Sequence, residues 1–308
     1  MSKQEVRVFS PATVSNVGPG FDLMGFALET PGDEMLIRRN DTGTLVLEDR
    51  SGCNLPLDPE KNVAAVAARA LLDELECREG FDLVFISKIN PGSGIGSSAA
   101  SCVAAVVGIN EILGNPLETP ALVPYAMEGE KVASGAVHAD NIAPALLGGI
   151  TLIRSYDPLD IKHIPYPDDL WCAVAHPDLE IRTAESRKLI PGEVPLSKAL
   201  QQCGNLAGLV AGLVTGDYGL ISRSVTDVFA EPYRTGFLPD FDELRENAIK
   251  AGSLGTGLSG SGPSVFSLCR GKGMAETVGE VMQHHFKTNG IASSLYVSGI
   301  SGSGCRIV

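Results

Sequence analysis

The chain has 308 residues, 44% hydrophobic and 20% charged, with a formal net charge of −13. That length suits two domains with their own cores, and the acidic balance argues against nucleic acid and anionic membranes as partners. It also means that an anionic ligand needs locally concentrated donors or a metal ion. MSKQEVRVFSP lacks a hydrophobic signal core, and apolar stretches such as Leu206–Val214 fall far short of the ~20 residues that span a bilayer. The seven cysteines form no C-x-x-C pair and the five histidines no H-E-x-x-H spacing. Free thiols in a reducing cytoplasm, without a structural zinc, are therefore expected.

In chain order, Val6, Val8 and Phe9 predict a strand stopping at Ser10-Pro11. PATVSNVGPGFDLMGFAL, residues 11 to 28, then reads as a loop presenting Asn16, Gly18, Gly20 and Asp22, whose polar side chains either serve a ligand or hydrogen-bond their own backbone. Met35–Ile37 and Thr44–Leu47 read as strands, 61–76 as a helix and Phe81–Ile86 as a buried strand.

The stretch PGSGIGSSAASCVAAVVGINEIL follows, a glycine turn opening into a helix that begins at Ser97 and meets no breaker before Gly114. Strand, glycine turn and helix start make an anion site, because the first helical N–H groups lack internal partners and no Cβ blocks their approach. No lysine follows the last glycine, so this is not a Walker A loop, and a cation must come from elsewhere. Leu122–Val132 predicts a helix carrying Glu128 and Glu130. HADNIAPALLGG places His138, Asp140 and Asn141 at the head of a short helix, where the last two are caps or ligand contacts.

SYDPLDIKHIPYPDD, dense in proline and aspartate, reads as the domain boundary, dividing the chain into 1–160 and 161–308. Trp171–Ala175 restarts a strand, and Thr183 and Arg187 lie one helical turn apart. Helices are predicted near 197–215 and 217–229, with Arg234 in a loop after Pro232. Gly255, Gly257 and Gly260 match the dinucleotide pattern G-x-G-x-x-G. However, a helix precedes them and a strand follows, the reverse of what that site needs. A helix over 274–286 and strands near 291–297 and 304–308 close the chain.

Three ordered motifs, PATVSNVGPGFDLMGFAL, PGSGIGSSAAS and GLSGSGPSVFSL, resemble the GHMP kinase superfamily over essentially the whole chain, and HADN is similar to its branch acting on L-homoserine. The resemblance implies an α+β class and a two-domain GHMP kinase fold. Its N-terminal nucleotide domain is ribosomal-protein-S5-domain-2-like, its C-terminal domain is ferredoxin-like, and the active site lies in the cleft between them. It also implies ATP-dependent phosphorylation of the homoserine hydroxyl in threonine biosynthesis, Mg2+ as cofactor, and a cytoplasmic homodimer.

Carried onto this sequence, the nucleotide site comprises Asn62, the turn Pro91-Gly92-Ser93-Gly94-Ile95-Gly96 and the helix start Ser97-Ser98-Ala99-Ala100-Ser101. Ser98 and Glu130 hold the metal. Arg187 and Arg234 take the substrate carboxylate, which a planar guanidinium can grip with two parallel bonds. Asp22 takes the ammonium, while Asn16, His138, Asp140 and Asn141 hold the chain and hydroxyl. Asn141, Glu130, Thr183 and Arg187 form the catalytic set. No lysine but Lys3 stands near the first motif, so a base-free transfer is expected, the proton passing to a phosphate oxygen. Competing readings are a kinase of the superfamily acting on another small alcohol, and a nucleotide-binding protein without turnover.

Overall fold

A computed structural model describes residues 3–134, 138–179, 181 and 183–308, without the side chains at 133, 134, 183 and 184. In chain order the elements are β1 (Glu5–Ser15), β2 (Met24–Asn40), β3 (Leu45–Asp49), α1 (Val63–Glu74), β4 (Gly80–Ser87), α2 (Ser97–Ile112), α3 (Val123–Ser134) and α4 (Ile142–Leu147). Next come β5 (Ile150–Tyr156), β6 (Leu159–Ile164), β7 (Leu170–Pro177), α5 (Thr183–Lys188), α6 (Leu196–Thr215), α7 (Tyr218–Ser224) and α8 (Glu231–Arg234). The chain ends with α9 (Phe241–Lys250), β8 (Gly255–Leu258), β9 (Val265–Arg270), α10 (Lys272–Thr288), β10 (Ser293–Gly299) and β11 (Arg306–Ile307).

The strands form two sheets. The larger runs β11-β1-β2-β4-β3, with the β5–β6 hairpin joined to the start of β2; only the β3–β4 pair is parallel. The smaller is antiparallel in the order β10-β7-β9-β8. Helix α2 is apolar or small on every side and accordingly buried all round, against α1, α3, α4 and the large sheet. Gly108 permits that approach, since a Cβ there would stand 2.1 Å from Ile37 Cδ1. On the small sheet, Ala275, Val278, Met282 and Phe286 form the buried stripe of α10. A third core joins the sheets, with Met24, Phe26 and Leu28 packed toward Val174, Phe266 and Leu268. The Phe26 and Phe266 rings meet edge-on at 6.4 Å.

Several sequence expectations shift. β1 continues through Pro11, because the β1–β2 register slips between Pro11 and Thr13, where a missing N–H costs no ladder bond. The predicted 11–28 loop shrinks to the turn between β1 and β2. Residues 155–169 are no simple linker: β6 occupies 159–164 and pairs with β5, so a cut at 160/161 passes through a strand. The small sheet begins at Leu170, and the tail strand β11 returns to β1. The helix predicted to reach 229 ends at Ser224, since Asp227 draws the N–H groups of Phe229, Ala230 and Glu231 into a turn of its own. Arg234 ends the short helix α8 rather than lying in a loop. Gly255 and Gly257 lie in β8, one arm of an antiparallel hairpin with β9, which removes the dinucleotide reading. No helix among the described residues is long and apolar enough to cross a membrane.

Candidate active site

Beyond β4 the chain reaches a turn in which Gly92, Gly94 and Gly96 have φ of +75°, +78° and +71°. The surroundings demand glycine as well. A Cβ on Gly94 would lie 2.6 Å from the Gly262 carbonyl oxygen, and one on Gly96 would lie 2.0 Å from Thr13 Oγ1. Gly96 is the N-cap of α2 and no side chain caps that end, so the first N–H groups of the helix are left to a ligand.

The turn is held from two sides. The Ser259 hydroxyl donates to the Gly94 carbonyl (2.7 Å), and the Ser264 hydroxyl donates to that of Ser93 (2.6 Å). Thus the third glycine motif braces the second through hydroxyls. From beneath, Lys88 Nζ donates to the Ser97 carbonyl (2.5 Å) and hydroxyl (2.6 Å) and lies 2.9 Å from Asp33 Oδ2. Asp33 also accepts from the Ile89 N–H and the Ser101 hydroxyl, both at 2.8 Å. Only 4% of the Lys88 side chain and 1% of that of Asp33 are exposed, so each charge depends on the other and on this network.

A cleft of about 540 Å³ runs over the turn. One end is walled by Cys53, Leu55, Pro56, Lys61 and Val63, and the other by Asp22, His138, Asp140, Asn141, Arg187 and Arg234. Of the predicted phosphate residues, Pro91, Gly92, Gly94, Gly96, Ser97, Ser98 and Ser101 line it. Ser93, Ile95, Ala99 and Ala100 are buried and do not. Asn62 lines the cleft too, but its side chain caps α1, accepting from the Ala64 and Ala65 N–H groups, and donates to the Pro56 carbonyl. Glu130 faces the phosphate turn, bonded by the Ser98 hydroxyl. Burial pushes its carboxyl up, while Ser98 and Lys88 pull it down.

At the far end, Asp22 has φ +58° and is fixed by its backbone. Its N–H donates to Asn16 Oδ1 (3.1 Å) and its carbonyl accepts from the Tyr156 hydroxyl (2.6 Å). The Arg187 guanidinium forks onto both Asp22 carboxylate oxygens, at 3.1 and 2.6 Å. Arg234, 3% exposed, donates to the Gly260 carbonyl at 3.0 Å. The two guanidiniums lie 5.4 and 5.3 Å from the centre of the Phe21 ring. His138 Nδ1 stands 3.7 Å from Asp22 Oδ2, and burial lowers its pKa, favouring the neutral ring. Asp140 is pushed up to about 7, chiefly by burial and then by the charges of Asp22 and Glu130.

Asn141 lies between the two ends. It occupies the N-cap position of α4 without capping it. Instead its Oδ1 accepts from Thr13 Oγ1 (2.7 Å) and its Nδ2 donates to Ser15 Oγ (3.0 Å). A Cβ on Gly96 would be 3.1 Å from Asn141 Oδ1, so this amide adjoins the phosphate turn. Thr183 opens α5, but its side chain lies outside the described residues.

Two family models match, GHMP kinases N terminal domain over residues 62–149 and GHMP kinases C terminal over 209–288. A homoserine kinase of Chlorobium phaeovibrioides is 43% identical, over 99% of this chain and 100% of that protein. The chain belongs to the homoserine kinase family of GHMP kinases. A homoserine kinase of Pyrococcus abyssi is 35% identical over 95% of this chain and 96% of its own length. The crystal structure of homoserine kinase from Cytophaga hutchinsonii superposes with a TM-score of 0.96 at 43% identity, covering 100% of this chain and 98% of that one.

Sequence reasoning missed Lys88, Asp33, Thr13, Ser15 and the two bracing serines of this GHMP kinase fold. A signal for Lys88 existed, since a lysine directly after an apolar strand and ahead of a glycine turn is poised to enter the anion site. Nothing local marks Asp33, which lies far away in sequence.

Proposed function

We propose that this protein transfers the γ-phosphoryl group of ATP to the side-chain hydroxyl of L-homoserine, giving O-phospho-L-homoserine and ADP. One observation carries the reading: a single cleft joins an uncapped helix N-terminus to an Asp–Arg–Arg cluster suited to an α-amino acid, with Asn141 between them. The backbone of Gly94–Ser98 takes the β- and γ-phosphates, and the buried Lys88 supplies the cation that a Walker lysine provides elsewhere. Adenine lies toward Leu55, Pro56 and Asn62. Arg187 and Arg234 take the carboxylate, and Asp22 the ammonium. Asn16 and His138 steady the chain; Nε2 of His138 is buried without a hydrogen-bond partner among the described residues.

Asn141 holds the hydroxyl in line with the γ-phosphorus, and Asp140 completes that pocket; the sequence motif assigns Thr183 to the same step. The hydroxyl oxygen bonds to phosphorus as the bond to ADP breaks. Its proton passes to a phosphate oxygen, because an amide accepts none and a loose transition state rewards positioning over early deprotonation. Ser98 and Glu130 form a hydroxyl–carboxylate oxygen pair suited to Mg2+, which keeps several waters and phosphate ligands. Held by Ser98 and Glu130, such an ion would supply neutralisation of the phosphate charge. A cytoplasmic homodimer belongs to the same proposal.

Measuring ADP release against L-homoserine, mevalonate, shikimate and galactose tests this function. Turnover with homoserine alone supports it, and a preference for another alcohol overturns it. Nucleotide binding without ADP release would favour a silent binder.

A further inference from the structure

The groups assigned to opposite ends of the substrate are bound to each other. Both N–H arms of the Arg187 fork lie on the two oxygens of Asp22, at 3.1 and 2.6 Å. Arg234 is differently placed, committed to the Gly260 carbonyl and almost wholly buried. Asp22 is likewise fixed, its backbone in a left-handed turn tied to Asn16 and Tyr156. Arg187 is the less constrained partner: its side chain is 37% exposed, and besides the Phe21 ring only the fork onto Asp22 holds it among the described residues.

We propose that the Asp22–Arg187 ion pair is a specificity device which opens only for a ligand carrying both an ammonium and a carboxylate. The proposal rests on the amino-acid assignment above and adds how that class is selected. A zwitterion replaces one internal pair by two external ones: its carboxylate draws Arg187 toward Arg234, and its ammonium takes the vacated Asp22. Asp22 and Arg187 each keep a partner of opposite charge. A ligand with only a carboxylate pulls Arg187 away and strands Asp22 in a partly buried pocket. A ligand with only an ammonium finds Asp22 already occupied by a bidentate cation. The two charges of the substrate therefore act as a unit, and removing either forfeits most of what both contribute.

Calorimetric titration of the intact protein, with a nonhydrolysable ATP analogue present, tests this against L-homoserine, 4-hydroxybutyrate (no ammonium) and 3-amino-1-propanol (no carboxylate). Wild type is expected to bind each singly charged analogue at least about a hundredfold more weakly than homoserine, the loss of two or more charge-assisted bonds. The decisive readout is opposite in sign. Asp22→Asn releases Arg187, so 4-hydroxybutyrate should bind about tenfold more tightly than to wild type while homoserine binds more weakly. Arg187→Gln should do the same for 3-amino-1-propanol. Melting curves identify any variant that fails to fold, and the other variant then decides.

If neither folded variant improves its matching analogue, the pair is not a gate and the proposal falls. Should wild type bind and phosphorylate an uncharged alcohol in preference to homoserine, the functional assignment fails instead, so the two failures are distinguishable.

Discussion

The two ends of the cleft are built on different principles. At the phosphate end the ligand-facing groups are chiefly backbone N–H groups, placed by glycine geometry and braced by a buried Lys88–Asp33 network. At the amino-acid end they are polar and charged side chains, among them the partly exposed Asp22–Arg187 ion pair. A triphosphate is common to many kinases, so the fold itself can hold it. The acceptor distinguishes one kinase from another, and side chains, which substitution can change without altering the fold, decide it.

This contrast can be broken or sharpened by substitution. The largest effect belongs to Gly96→Ala, which combines a positive φ with a Cβ 2.0 Å from Thr13 Oγ1 and 3.1 Å from Asn141 Oδ1. Loss of at least about a hundredfold in kcat/KM is expected, with both ATP and homoserine affected, because Gly96 is where the two ends touch. Retention of activity would show that the turn is looser than the contacts imply. Next, Lys88→Met strands the buried Asp33 and should lower the melting temperature; in the protein that remains folded, KM for ATP should rise about tenfold or more with KM for homoserine nearly unchanged, and Lys88→Arg should be intermediate in both. A lowered melting temperature with KM for ATP unchanged would make Lys88 a stability residue only.

Asn141→Ala should lower kcat about a hundredfold with little change in nucleotide affinity measured by calorimetry, since Asn141 orients rather than anchors. Asp140→Asn separates positioning from proton abstraction. Turnover should persist within about tenfold, whereas abolished turnover with unchanged homoserine affinity would reveal a protein base.

The same variant carries a pH signature. The folded Asp140 carboxyl sits at about 7, above the ordinary value of 3.8. Between those pH values the native protein keeps a proton that the unfolded chain has lost, so Asp140 costs stability progressively as pH rises through that window, and fully above it. Asp140→Asn should therefore raise the melting temperature more at pH 8 than at pH 4, read by calorimetry on the ligand-free protein. The smallest effect is that of Asn62→Ala. Removing the α1 cap should cost about 1 kcal/mol of stability, seen in denaturant melts, and disturb ATP binding only slightly.

Much of the fold was legible because local physics decided it. Helices α1, α2 and α10 follow from apolar spacing or uniform apolarity, and the uncapped end of α2 follows from its glycines. Asn62 shows the opposite case, a residue marked for the nucleotide whose side chain is consumed by capping. Asn141 reverses it, since it stands at a cap position yet turns to Thr13 and Ser15. Local sequence cannot choose between these uses, because a cap and a ligand contact ask for the same amide.

What the sequence determined by itself was the order of the pieces: three glycine motifs, a strand feeding a turn feeding a helix, and the residue types an amino-acid substrate would need. Tertiary structure alone decided who meets whom. Asp33 reaches Lys88, Ser264 reaches Ser93 and Asp22 reaches Arg187 across 55, 171 and 165 positions. Such contacts depend on how sheets and helices pack, and a charge or hydroxyl in a sequence carries no mark of the partner that folding will bring to it.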